Sequence, residues 1–249
     1  MAKKPNINPE NIGAGLGELK SRLLFLLFAI FVYRIGTHIP VPGIDPLQLQ
    51  AFFDQNEGTF AGLFNMFSGG ALERMSIVAL GIMPYISASI IMQLLTAVNP
   101  QLDQLKKEGE SGRRKITQYT RYGALALATV QGTGMTVGLL SPIAYSPGLA
   151  FNLTAIISLV TGAMFLMWLG EQITEKGIGN GISMLIFAGI VALFPAAVGS
   201  SLTQAYEGQI SAVLLLVVAF IAVGVVAGIV YVERAQRRIT VNYAKRQQG

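Results

Sequence analysis

The 249-residue chain has no cysteine, one histidine and one tryptophan, and only 12% of its residues are charged. Without cysteine there is no disulfide framework, no thiolate metal site and no thiol nucleophile. The lone His38 excludes a His-rich zinc site or a histidine proton relay, so carboxylates would have to carry any such chemistry. Soluble domains carry about 25% charged residues, and that shortfall needs a cause. What fills the gap is apolar: 52% hydrophobic residues and a mean hydropathy of +0.55. A lipid solvent accounts for this composition. The formal net charge of +5 is mild, so where charge sits matters more than its total.

A membrane-crossing helix needs about 20 apolar residues, because each adds 1.5 Å against a hydrocarbon core of about 30 Å. Stretches free of Asp, Glu, Lys and Arg run over 75–102, 122–170, 177–206 and 208–232. The longest holds two spans, divided at Ser141-Pro142 and Ser146-Pro147-Gly148, where prolines and glycine end helices. Five spans are therefore expected, at 76–98, 122–140, 151–170, 181–199 and 211–232. The apolar run 23–33 before Arg34 has the length of a signal-peptide core, but no small-x-small cleavage site follows it. Extended through Val41 it makes a first span, 23–41, if Arg34 snorkels to the far interface. The expected fold is an all-α polytopic membrane protein of six transmembrane helices.

The positive-inside rule tests that count. With a cytoplasmic N-terminus and alternating sides, every one of the 18 basic residues except Arg34 and Arg74 falls on the inner side. The outer side collects Asp45, Asp54, Glu57, Glu73 and Glu207. A wrong span count would scramble this asymmetry, so both termini are expected in the cytoplasm.

Several shorter segments invite two readings. Phe64-Asn65-Met66-Phe67-Ser68-Gly69-Gly70-Ala71-Leu72 is apolar but too short to cross a bilayer. It is either a re-entrant piece in a pore mouth or a half-helix resting on the outer leaflet, and physics alone leaves both open. Pro84 after Gly81 predicts a bend in the second span. Ile82 and Ile86 share one helix face, as do Ile182 and Ile186; in so apolar a chain such pairs read first as packing. Gly177-Ile178-Gly179-Asn180-Gly181 lacks a preceding strand and a Gly-Lys-Ser/Thr, so it reads as a tight turn between spans, not a nucleotide loop. Residues 109–115 read as a basic cytoplasmic loop whose charge sets topology and touches lipid headgroups. In the tail, Ile239, Val241 and Tyr243 alternate with polar neighbours, a strand period. The expectation is a chain that stops inside a cytoplasmic hairpin, whose basic residues could hold RNA phosphates or an acidic protein surface.

Taken in order, these segments resemble the SecY family of bacterial protein-conducting channel subunits. The resemblance rests on Gly15-Leu16-Gly17-Glu18-Leu19-Lys20, Arg34-Ile35-Gly36, Ile39-Pro40-Val41-Pro42-Gly43-Ile44-Asp45 and the stretch 64–72. It continues through Ala79-Leu80-Gly81-Ile82-Met83-Pro84-Tyr85-Ile86-Ser87-Ala88-Ser89-Ile90, Lys106-Lys107-Glu108-Gly109-Glu110-Ser111-Gly112-Arg113-Arg114-Lys115, Gly170-Glu171-Gln172-Ile173-Thr174 and 177–183. Glu233-Arg234 and Arg237-Arg238 close it. The family has about ten spans in two pseudo-symmetric halves. The chain resembles the N-terminal half plus the sixth span, with 233–249 the start of a basic cytoplasmic loop.

What the resemblance implies can be placed on residues. A central apolar constriction maps onto Ile82, Ile86, Ile182 and Ile186, the rest of the ring lying in the other half. Such a ring dewets when narrow, resisting ions, and offers a passing polypeptide no hydrogen-bonding groups. Phe64, Asn65, Met66, Phe67, Ser68, Gly69, Gly70, Ala71, Leu72, Glu73 and Arg74 resemble the plug that closes the outer funnel. Spans two and three resemble one side of a lateral gate. Arg237, Arg238, Lys245 and Arg246 fall in the loop that meets the ribosome or the SecA motor. The implied partners are SecE, SecG, SecA, the ribosome, the translocating polypeptide and lipid, in the bacterial cytoplasmic membrane. No cofactor and no enzymatic activity are implied, since energy comes from elsewhere. The competing reading from physics alone is an ion-coupled secondary transporter, which also uses broken helices. It would place ionisable residues inside the spans, and the five long spans have none.

Overall fold

The computed structural model describes residues 9–55, 65–66 and 68–235. Its order is α1 (Pro9–Gly36), α2 (Pro46–Gln55), a run of turns over 68–82, α3 (Met83–Val98), α4 (Pro100–Lys107), α5 (Glu110–Met135), α6 (Leu149–Lys176), α7 (Gly181–Tyr206) and α8 (Ala212–Glu233). A π-turn (Thr136–Leu140) and a 3₁₀ turn (Ser141–Ile143) prolong α5 to the Ser141-Pro142 break. Among the described residues there is no strand, only isolated bridges pairing Pro40 with Ser76 and Ile44 with Ala144. The chain forms two units, 1–194 and 195–249, with Pro195 inside α7 at the boundary.

The charge gaps translate into helices. Glu110–Ile143, Leu149–Lys176, Gly181–Tyr206 and Ala212–Glu233 are each long and apolar enough to cross a membrane. In α1 the apolar residues lie between Arg22 and Arg34, about 18 Å along the axis, short of the hydrocarbon core. The run expected as a second helical span, 76–98, is helical only from Met83. Residues 76–82 are turns because Met75 (φ +41°) and Gly81 (φ +59°) leave the helical basin. Pro84 therefore does not bend a helix; it stands at the start of one, where its missing N–H costs nothing. The basic segment 109–115 is not a loop either. Gly109 (φ +81°) makes the turn and the basic residues ride on α5. The glycine-rich segment at 177–180 is the expected tight turn, with Gly179 at φ +71°.

In the first unit, two apolar clusters hold the helices. One joins Val41, Met75, Leu140 and Leu159; the other joins Tyr33, Ala71, Val78, Ile82, Leu166, Ile173 and Leu185. Without a strong hydrophobic drive between helices in lipid, close packing depends on small residues. Gly162 of α6 lies so close to the Ile77 carbonyl that a Cβ would overlap it, and Gly181 likewise meets the Gly170 carbonyl. Ala88 of α3 and Ala124 of α5 are buried together with Met167 of α6. In the second unit, α8 carries no charge before Glu233 and is apolar on every side, the pattern of a membrane span.

Candidate functional site

The site is built around the turns at 68–82. Gly69 and Gly70 sit at φ +66° and +81°, a region that L side chains avoid. Asn65 ties the segment's two ends together: its Nδ2 donates to Glu73 Oε2 at 3.0 Å and its Oδ1 accepts from Glu73 N at 3.0 Å. Ser68 Oγ donates to the Asn65 carbonyl at 3.0 Å and accepts from Leu72 N at 3.2 Å. The Leu72 and Glu73 N–H groups, which the non-helical path frees, thus find side-chain partners, as buried backbone requires.

Helix α1 holds this turn from one side. Tyr33 Oη donates to the Ser68 carbonyl at 3.0 Å, and Arg34 Nη1 donates to the Gly69 carbonyl at 2.9 Å. Helix α7 meets it from another: a Cβ on Gly69 would come within 2.9 Å of Gly189 Cα. Behind the turn, Val41 N donates to the Met75 carbonyl at 2.8 Å and Ile77 N to the Ile39 carbonyl at 2.9 Å. Residues 68–72 are buried as a result, and Met75 and Ser76 are fully so. Residues 68–72 lie among protein, whereas Met66, Glu73 and Arg74 are exposed. Phe64 and Phe67 fall outside the described residues, as do Arg237, Arg238, Lys245 and Arg246 with the alternating tail around them.

Beside the turn is a cavity of about 150 Å³. Ile82, Ile86 and Ile186 line it with Leu80 and Met83, and Ser68 supplies the polar edge. The structure therefore brings three of the four expected constriction residues together against the expected plug. Ile182 does not join that lining. Its side chain packs on α6, where a Cβ on Gly170 would come within 3.0 Å of Ile182 Cγ1. The isoleucine wall offers no hydrogen-bonding groups and holds water poorly. Ser68 supplies the one hydroxyl of the lining, and no histidine, carboxylate or amine stands beside it there.

Midway along α1, Arg22 pairs with Glu18 at 2.8 Å and reaches towards the Gly177 carbonyl at 3.4 Å. Lys176 Nζ stands 5.9 Å from the Phe25 ring centroid, within cation–π range. The middle of α1 thus lies beside the α6–α7 turn, and Arg34, near the C-terminal end of α1, stands with the turn at 68–82. Arg121 of α5 grips Glu171 of α6 through two bonds, Nε to Oε1 at 2.9 Å and Nη2 to Oε2 at 2.8 Å.

Tyr33, Arg34 and Gly189 are the site residues that the reading of the sequence missed. Arg34 had a signal: an ionisable residue interrupting an apolar run marks a functional position by default. Snorkelling was expected of it, and instead its guanidinium is spent on the Gly69 carbonyl.

A family model described as SecY matches residues 76–249. The chain is 64% identical over 250 residues to the protein translocase subunit SecY of Pseudomonas aeruginosa, covering 100% of this chain and 56% of that one. Identity to the same subunit of Escherichia coli strain K12 is 59% over 254 residues, covering 100% of this chain and 57% of that one. The chain thus spans a little over half the length of these curated relatives. Among solved structures, the fold is similar to Sec61 in the canine ribosome-channel complex from the endoplasmic reticulum. The TM-score is 0.63 at 20% identity, over 90% of this chain and 50% of that one. It is also similar to a SecY protein whose plug domain is described as stabilising the closed state and maintaining a membrane seal. That match has a TM-score of 0.54 at 23% identity, over 71% of this chain and 36% of that one.

Proposed function

The chain belongs to the SecY family, and on that premise we propose that it is the N-terminal half, plus the sixth span, of the central subunit of a protein-conducting channel. The complete subunit passes unfolded secretory polypeptides across the bacterial cytoplasmic membrane and releases apolar segments sideways into lipid. The observation that carries this reading is the apolar cavity where Ile82, Ile86 and Ile186 meet the buried turn at Ser68. In this reading the isoleucines form half of a constriction, with Ile182 supporting it from beneath, and the turn is a plug seated on its outer side. The plug of the similar SecY structure, described as maintaining a seal, supports it.

The same premise assigns six spans near 23–41, 76–98, 122–140, 151–170, 181–199 and 211–232, with both termini in the cytoplasm; the first is helical only to Gly36 and the second only from Met83, and turns complete both crossings. The placement of Arg22 beside the α6–α7 turn supports that orientation. α3 and α5 form one side of the lateral gate. SecE clamps the halves, SecG lies peripherally, and Arg237, Arg238, Lys245 and Arg246 meet the ribosome or SecA; the similarity to a chain in a ribosome-channel complex supports the ribosome. No observation favours an ion-coupled transporter, since the charge-free runs 177–206 and 208–232 offer no coupling carboxylate.

Reconstitution tests the function. Vesicles holding the complete subunit, its small partners and the motor should render a secretory precursor protease-protected in an ATP-dependent manner. Solute uptake driven by a proton or sodium gradient, without precursor protection, would contradict the proposal.

A further inference from the structure

Strain in the first unit collects in two places that share one core cluster. Four threonines of α5 donate their hydroxyls one turn back: Thr117 to the Arg113 carbonyl at 3.0 Å, Thr120 to Ile116 at 2.9 Å, Thr129 to Leu125 at 2.8 Å and Thr133 to Thr129 at 2.8 Å. Thr136 breaks the pattern. It is fully buried, and its Oγ1 has no partner among the described residues. It also opens the π-turn, where Ser141 N donates to the Thr136 carbonyl, five residues back instead of four. Such single-turn bulges are rare and concentrate at functional sites. The second strained place is Met75, fully buried at φ +41°, the one non-glycine residue at positive φ among those described. A bulky side chain holds that conformation only when its surroundings impose it. Met75 and Leu140 belong to the same cluster.

Backbone bonds strap the two places together. Beyond the π-turn, Tyr145 N donates to the Gly43 carbonyl at 3.1 Å, and Asp45 N donates to the Ile143 carbonyl at 3.0 Å. Two residues before Gly43, Val41 N bonds the Met75 carbonyl. The end of α5 and the turns at 68–82 therefore hold the same segment, 39–45.

Rewinding the π-turn into α geometry relieves the first strain, because it offers the Thr136 hydroxyl the Gly132 carbonyl, the bond that the other four threonines make. It also passes one residue forward, which turns the end of α5 by about 100° and moves it about 1.5 Å along the axis. Leu139 then takes the place of Leu140. The two side chains are identical, and Leu139 already packs against the cluster, so the core keeps its volume. Val137 is exposed and Gly138 has no neighbour within 4 Å, which leaves the outer side of the turn free to move. We propose that 136–140 is a two-register element: the π register keeps Met75 and the turns at 68–82 seated, and the α register draws the 39–45 strap away and loosens them. The consequence for sealing rests on the reading of 64–74 as a plug; the movement itself does not.

Cysteine labelling of the complete subunit with its small partners tests the movement whether or not the channel conducts, and the absence of native cysteine keeps it clean. Leu72→Cys places a thiol at a buried position of the turns, and its reaction with a water-soluble maleimide reads how often they loosen. Thr136→Val removes the unmet hydroxyl and should slow that labelling fivefold or more, the lower end of what such a group costs. Thr136→Ser keeps the hydroxyl and should label within about twofold of the parent. The register exchange predicts opposite signs for adjacent leucines: Leu140→Ala should speed labelling about tenfold or more, and Leu139→Ala should slow it. Ala124→Cys, in a separate buried cluster of α5, should respond to none of these changes. Unchanged labelling in Thr136→Val, acceleration in both leucine variants, or parallel slowing at Ala124→Cys would each overturn the proposal.

Discussion

Arg34 Nη1 donates a 2.9 Å hydrogen bond to the Gly69 carbonyl, so the cation that ends the first apolar run is hydrogen-bonded to the backbone of the segment proposed as the plug. Tyr33 makes the parallel bond to Ser68. Both bonds end on carbonyls, so substituting side chains within the plug leaves them in place, and only a change on α1 removes them. A hydrogen bond to a charged group contributes about 1.5–3 kcal/mol. Arg34→Gln in the complete subunit should therefore raise the open population tenfold or more. Ion leak through reconstituted vesicles measures it, with deletion of 65–70 as reference. Leak on deletion but not with Arg34→Gln would reject the seat, and no leak on deletion would reject the plug.

The α6 backbone leaves no room at Gly162, where an added Cβ would overlap the Ile77 carbonyl. Neither group can rotate away, so Gly162→Ala should cost about 1–3 kcal/mol, the range for overpacking. The same change at Gly134, which has no neighbour within 4 Å, should be neutral or slightly stabilising because alanine favours helix. Thermal unfolding of the two variants in detergent should separate them by several degrees, and equal midpoints would contradict the packing described.

The Arg121–Glu171 pair joins α5 to α6 through two bonds, but about half of the arginine side chain is exposed. Solvent screening limits such a pair to about 0.5–1 kcal/mol. A double-mutant cycle with Arg121→Ala and Glu171→Ala should return a coupling of that size, shrinking as salt rises. A coupling above about 3 kcal/mol would mean that the pair is buried in the complete subunit.

Much of this architecture is legible in the sequence because lipid imposes it. A charge among apolar residues is costly, so gaps between charges mark α6, α7 and α8 to within several residues. Backbone path is less legible. Residues 76–82 have the hydropathy of a helix, yet Gly81 at φ +59° and the bonds from Ile77 to Ile39 and from Ser76 to Ala71 draw them into turns. Hydropathy carries no information about such bonds. Side-chain direction is harder still. Ile182 and Ile186 share a helix face by spacing, but a glycine in α6, twelve residues before Ile182, opens a notch that takes Ile182 and leaves Ile186 to the cavity. Arg34 was visible as an anomaly, and only the structure supplies its partner.

The central claim is that a polypeptide passes the cavity lined by Ile86 and Ile186, and the absence of native cysteine makes this directly measurable. Single cysteines at Ile86, Ile186 and Ile182 in the complete subunit can be challenged with a cysteine-bearing secretory chain stalled in transit, with Val217 on α8 as the control. The account predicts disulfides at Ile86 and Ile186, fewer at Ile182, and background at Val217. Equal or absent cross-linking at all four positions, with the stalled chain shown to be engaged, would contradict it.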